Sequence, residues 1–175
     1  MKNICKVFSD GTCIYIDLYV KSAWIGRFFL FAFNLLIFSG LLFLLVKVED
    51  VYIGQVLVAS AVFLTFYGFT VVRYTLWNFF GHESIIINTK TLTTQSDYGF
   101  FLSKPKTIEL NGWALEYAQK QETKAGVQHT IQIFTYDEHD RPVFVYETGV
   151  TILQEDCEMI TKVLTDYINN LAIRI

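Results

Sequence analysis

Two runs without a charged side chain decide most of what this sequence can fold into. Phe28 to Val46 is nineteen residues and Val51 to Val72 is twenty-two, and a helix needs roughly twenty residues to cross a hydrocarbon core about 30 Å thick. Neither run gathers polar residues on one face at helical spacing, as a surface helix of a water-soluble protein would. Burying two such helices in a soluble globule would take far more surrounding chain than this sequence has. The pattern predicts a transmembrane hairpin within residues 23–80, its helices spanning about 25–46 and 51–74.

Lys47, Val48, Glu49 and Asp50 leave room only for a tight turn, so the two helices run antiparallel and both chain ends share one compartment. Lys2, Lys6, Lys21 and Arg27 precede the first span and Arg73 closes the second, whereas the turn carries Lys47 alone. The positive-inside rule then puts both termini in the cytoplasm of a cell (inner) membrane. Trp24 at one end, with Tyr74, Trp77 and Phe80 at the matching end of the other helix, makes an aromatic belt beside Arg27 and Arg73. Within the spans Asn34, Ser39, Gly40, Ser60, Thr65 and Gly68 interrupt the Leu, Phe and Val. Counted outward from the turn, Asn34 and Thr65 lie at nearly one depth, which predicts a hydrogen bond between the helices there. No ionisable residue lies at mid-depth, so the hairpin alone offers no polar path for transport.

Ahead of the membrane, residues 1–22 read as a β-hairpin arm. Ile14, Ile16, Leu18 and Val20 alternate with polar or aromatic residues at the period of a half-buried strand, and Asp10-Gly11 suits a two-residue turn back to Asn3–Phe8. That register sets Phe8 against Thr12 or Cys13, and Cys5 against Ile16. A lone hairpin is marginal in water, so the arm is expected to dock on the carboxy-terminal sheet or on another protein. Cys5, Cys13 and Cys157 are too few and scattered for a disulfide framework or a metal site, and free thiols are expected. The apolar run is too long and too late for a cleavable signal peptide.

The hydrophobic excess of the chain, 53% overall, sits in residues 23–80, and residues 82–175 have the texture of a water-facing domain. That domain holds eight Lys and Arg against thirteen Asp and Glu, an acidic balance unsuited to nucleic acid or anionic headgroups. Seven short strands are predicted, at Glu83–Asn88, Thr91–Gln95, Tyr98–Leu102, Thr107–Leu110, Trp113–Lys120, Gln128–Tyr136 and Pro142–Thr148. The period then lengthens: Cys157, Ile160, Val163, Leu164, Tyr167, Ile168 and Leu171 recur at three and four. This is an amphipathic helix, with Glu155 and Asp156 in its first turn and Thr151 and Gln154 spaced for a capping box.

Seven strands closed by one helix is the pleckstrin-homology plan. The passage Gly81-His-Glu-Ser-Ile-Ile-Ile-Asn-Thr-Lys-Thr-Leu-Thr-Thr, emerging directly from a two-span hairpin, resembles the start of the pleckstrin-homology-like domains of small bacterial membrane proteins. There, a glutamate, alternating aliphatics and a later leucine mark the first β-hairpin. The fold class expected is therefore an α+β membrane protein: a two-helix transmembrane hairpin plus a seven-stranded pleckstrin-homology-like β domain with a carboxy-terminal helix. The resemblance implies association rather than catalysis. The basic cluster of lipid-binding relatives is missing, since Lys90 is the only cation between Glu83 and Tyr98, so phosphoinositide binding is not expected.

No catalytic, cofactor-binding or metal-ligating pattern stands out. His82 lies at the membrane boundary, His129 starts a strand, and His139 belongs to Asp137-Glu138-His139-Asp140, which reads as a hairpin turn without the ligand spacing or glycine of a calcium loop. Tyr117, Phe134, Phe144 and Tyr146 suit packing rather than a ligand box. The function expected is a non-enzymatic membrane-anchored accessory or scaffold protein whose acidic domain meets a protein partner or a second copy of itself. The alternatives are an immunity or defence-associated factor that neutralises a toxin, and a non-catalytic subunit of a membrane enzyme or transporter.

Overall fold

The computed structural model describes residues 5–49, 52–123 and 126–172. The chain is α+β and divides into two compact units, one made of residues 21–79 and the other of the chain on either side of it.

The helical unit contains α1 (Trp24–Lys47) and a second helix built from α2 (Ile53–Tyr67), a π-helical stretch (Gly68–Val72) and α3 (Arg73–Phe80). At 1.5 Å per residue the 24 and 28 residues of the two helices reach about 36 and 42 Å, and both are apolar enough to cross a membrane. Their side chains point outward: among the described residues of α1 and α2, only Tyr67 is buried. The second helix runs six residues beyond the expected end at 74. Its polar residues there spend their hydrogen bonds on their own helix, Thr75 Oγ1 donating to Val71 O and Asn78 Nδ2 to Tyr74 O. The expected start of this span, at Val51, lies outside the described residues. Thr65, Thr70 and Thr75 each bond back to the carbonyl four residues earlier. Such bonds compete with the backbone ladder and bend helices, and these three straddle the π stretch.

The β unit has two sheets. The first runs β1 (Cys5–Ser9), β2 (Ile14–Tyr19), β3 (His82–Ile87), β4 (Thr91–Asp97) and β5 (Lys106–Glu109), antiparallel throughout. The second joins β6 (Trp113–Thr123), β7 (Gly126–Tyr136) and β8 (Pro142–Glu147), with the short β9 (Ile152–Leu153) pairing β7 beyond β8. The amino-terminal arm docks by continuing the carboxy-terminal sheet: β2 pairs with β3, Tyr19 opposite His82, although the whole helical unit lies between them in the chain. Val20 N–H closes the ladder on the Gly81 carbonyl at 2.9 Å. Ile14, Ile16 and Leu18 of β2, Ile85 and Ile87 of β3, Leu92 of β4 and Ile131 and Ile133 of β7 are all fully buried. Over them lies α4 (Gln154–Ala172), contacting β1, β2, β7 and β9. It buries Cys157, Ile160, Leu164 and Tyr167, while Ile168 faces solvent.

Several expectations are corrected. The first hairpin closes through four residues, Asp10 to Cys13, so Cys5 faces Leu18 and Phe8 stacks on Tyr15. The cause is the Asp10 carboxylate, which accepts from the N–H groups of Thr12 and Cys13, the Thr12 hydroxyl and the Tyr15 hydroxyl, and is held below the usual carboxylate range by these bonds. The three cysteines are free, in line with the expectation. Residues Tyr98–Leu102 form a turn rather than a strand, with Gly99 at φ 84°. The expected capping box is absent because Thr151 donates to Gln128, and the Asp156 carboxylate reaches back to Leu153 N–H. Among the described residues the expected amino-terminal pair is present, and of the seven strands expected after it the Tyr98–Leu102 run is lost and β9 is gained.

Candidate functional site

Alternation along β3 puts Glu83, Ile85 and Ile87 on one inward face, so a carboxylate points where the pattern calls for an aliphatic. Glu83 is 4% exposed. Its Oε1 accepts the Tyr146 hydroxyl from β8, and its Oε2 accepts the Gly149 and Val150 N–H groups at 3.0 and 3.3 Å. One side chain of the first sheet thereby satisfies three donors of the second sheet and its exit loop. Burial pushes its pKa up to about 7, against the lowering effect of the Val150 and Gly149 N–H bonds. Such a perturbed carboxyl is often a catalytic acid or base. Its three donors lie on β8 and the loop that follows it, so Glu83 also forms a polar strut between the sheets.

In the helical unit Asn34 joins the two helices, though not through Thr65. Its Nδ2 donates to Thr75 Oγ1 at 3.0 Å and to the Leu30 carbonyl of its own helix, and its Oδ1 accepts the Tyr67 hydroxyl at 2.9 Å. The Thr65 hydroxyl donates instead to Ala61 O. Equal counting from the turn assumes that both helices start level. The contacts of Asn34 with Thr75 and of Phe38 with Tyr67 show the second helix displaced by several residues. Replacing Asn34 with Leu is expected to weaken helix packing by about 0.5–1.5 kcal/mol, read as unfolding at lower denaturing-detergent fraction, whereas Thr65→Val should leave that midpoint unchanged.

The belt residues flank this network. Trp24 and Tyr74 are strongly exposed. Arg27 Nε donates to Ser22 Oγ and to the Asn78 carbonyl, its guanidinium 5.8 Å from the Phe79 ring. This ties the start of α1 to the end of α3. Lys47 closes α1, Arg73 opens α3, and Trp77 follows one turn later.

The histidines do not converge. His82 stacks on Tyr19 and lies 3.5 Å from Asp97, His129 sits in β7 opposite Gln119 and Ile152, and His139 lies in the tip of the β7–β8 turn. There Asp137 accepts from His139 N–H, Arg141 N–H and Arg141 Nε, which hold its carboxyl below the usual range, the Arg141 N–H foremost. Among the described residues no group of three or more His, Cys, Asp or Glu side chains is placed to hold a metal ion. Tyr117 donates from β6 to the Cys157 carbonyl on α4, and Phe134 packs edge-on against Phe144. Sequence reasoning singled out Glu83 but missed Tyr146, Gly149 and Val150, which only the meeting of the two sheets brings to it. Tyr67 was missed because it carries no signal beyond being polar in an apolar run, and Thr75 because it lies beyond the expected end of the span at 74. Compared with protein-family models and with curated proteins, the chain matches none at significance.

Proposed function

We propose that this chain is a two-span integral membrane protein, both termini cytoplasmic, acting as a non-enzymatic accessory or scaffold that holds an acidic β domain against the membrane for a protein partner. The observation that carries the reading is the insertion of two outward-facing apolar helices between adjacent strands. Trp24, Ile25, Phe29, Leu36 and Val62 are all at least 65% exposed, an apolar surface far beyond what a soluble monomer leaves in water. The chain leaves the β unit at Val20 and returns at Gly81, and these two residues are hydrogen-bonded. That supports a hairpin entering and leaving one side of a bilayer. Strands on either side of the helical unit share one sheet, and α4 packs on β1 and β2, which favours a common compartment for the termini. The bias of Lys2, Lys6, Lys21, Arg27 and Arg73 over Lys47 favours the cytoplasm.

The pleckstrin-homology-like reading draws support from β2–β8, seven antiparallel strands in two meanders followed by an amphipathic helix. For the partner, the argument is charge. Residues 1–20 and 80–175 carry ten Lys and Arg against fifteen Asp and Glu, with Glu116, Glu122, Glu155, Glu158 and Asp166 exposed. Such a field steers and selects a basic surface. Extraction in mild detergent at low salt, followed by mass spectrometry, should recover a stoichiometric basic companion that is shed as ionic strength rises. Recovery of a bare monomer at every salt concentration would remove the scaffold reading.

A further inference from the structure

Among the described turns of the β unit, one differs in its exposed side chains from the three that follow β1, β3 and β7. Asp10–Cys13, Asn88–Lys90 and Asp137–Arg141 present carboxylates, amides and hydroxyls, whereas the β4–β5 turn presents Phe100, Phe101 and Leu102, exposed by 76, 44 and 62%. Three consecutive exposed apolar residues are a liability in water unless something covers them. This turn is also built to hold them out. Gly99 N–H is fixed by the Asp97 carboxylate at 2.6 Å, Tyr98 N–H by the Phe101 carbonyl, and Ser103 bonds Ser96 through both its N–H and its hydroxyl. Tyr98 is buried and stacks on Phe101 at 4.6 Å, which anchors the turn while Phe100 projects.

Its location gives the occupant. Gly99 lies flush on Phe80, where an added Cβ would come within 2.5 Å of the Phe80 Cβ, and the Phe100 ring packs edge-on against that of Phe80 at 5.5 Å. Phe80 is the last residue of the second apolar helix. The aromatic tip therefore adjoins the point where the chain leaves the span. Lys104 and Lys106, both exposed, follow the tip in a domain otherwise dominated by acid. Aromatic rings flanked by lysines are the composition that settles at a bilayer's headgroup level.

We infer that the Tyr98–Leu102 turn is a second membrane contact, inserting Phe100 and Leu102 into the interface of the bilayer that holds the helices. The inference rests on the membrane reading above, and its test separates the two. The photo-crosslinking amino acid p-benzoyl-phenylalanine replaces Phe100, Leu102, Phe144 or Leu36, one at a time, in the full chain. Each variant is reconstituted in vesicles of phosphatidylethanolamine with a minority of phosphatidylglycerol, and adducts are identified by mass spectrometry. Phe144 is an exposed aromatic of the same domain and Leu36 an exposed residue of α1. Lipid adducts at either tip position in severalfold excess over Phe144, with Leu36 also labelled by lipid, are the expected result. Tip adducts to a protein or a second copy, or tip labelling no greater than at Phe144, with Leu36 still labelled, overturn the inference and leave the membrane reading standing. A Leu36 site silent toward lipid overturns both.

Discussion

Residues 82–175 expressed alone will not fold, whereas residues 5–20 joined to residues 81–175 through a two-residue Asn-Gly turn will give a soluble, cooperatively folded domain. Without β2, the sheet loses Ile14, Ile16 and Leu18, none of which retains any exposed surface. Burying such side chains is worth about 1.5–3 kcal/mol each, or roughly 5–9 kcal/mol together. That approaches the whole stability of a typical domain, on the order of 5–15 kcal/mol. The loss also opens the hydrogen-bonding edge of β3 and removes the Thr12 carbonyl that accepts the Tyr167 hydroxyl of α4, and an exposed apolar edge strand invites aggregation. Joining the strands directly is feasible because Val20 and Gly81 are already bonded, and an Asn-Gly turn fits that geometry. Circular dichroism and thermal melts of the two chains make the comparison. A monomeric, cooperatively melting 82–175 chain would show that the amino-terminal strands are an accessory to the sheet rather than part of it.

Glu83→Ala is expected to cost on the order of 3–5 kcal/mol, because it leaves the Tyr146 hydroxyl and the N–H groups of Gly149 and Val150 buried without an acceptor. In a chain of this size that is a fall on the order of 10 °C in Tm. Glu83→Gln behaves differently. Its amide oxygen can take the two N–H groups while its amino group donates to the Tyr146 oxygen, so the network survives without charge. The pH dependence separates the two roles. With the folded pKa raised from 4.5 to about 7 by burial, the folded chain keeps a proton that the unfolded chain gives up. The stabilisation from this group is full below pH 4.5, declines as pH rises, and is gone above pH 7, a swing of roughly 3 kcal/mol. Melts of the parent chain should carry this slope and those of Glu83→Gln should lack it. An alanine variant melting within a few degrees of the parent at all pH values would rule out the strut.

What could be read from the sequence divides along physical lines. The two helices were legible because nineteen and twenty-two uncharged residues admit few other fates, and β3, β4, β7 and α4 because their burial follows a period of two or of three to four. The first hairpin's register was misread because one side chain, Asp10, satisfies a wider loop than Asp-Gly alone requires. Tyr98–Leu102 looked like a strand because aromatic composition does not distinguish a buried strand from a turn that exposes its rings, although Gly99 was the available warning. β9 is two residues long, below any periodic signal. The partners of Asn34 and of Glu83 depend on how elements distant in the chain are offset, and no local pattern carries that offset.

The splice between β2 and β3 also orders events during synthesis. When the ribosome has released β1 and β2, their pairing partner is still more than sixty residues from the exit of the chain. The first sheet can close only after both helices have been made. If the helices span a bilayer as proposed, a nascent chain whose second helix failed to turn back would leave β3 and everything after it on the far side from β1 and β2, and neither portion could complete a core. On the proposed two-span reading, closing this sheet would serve as a check on threading, because a chain threaded wrongly would be left with an unfinished core.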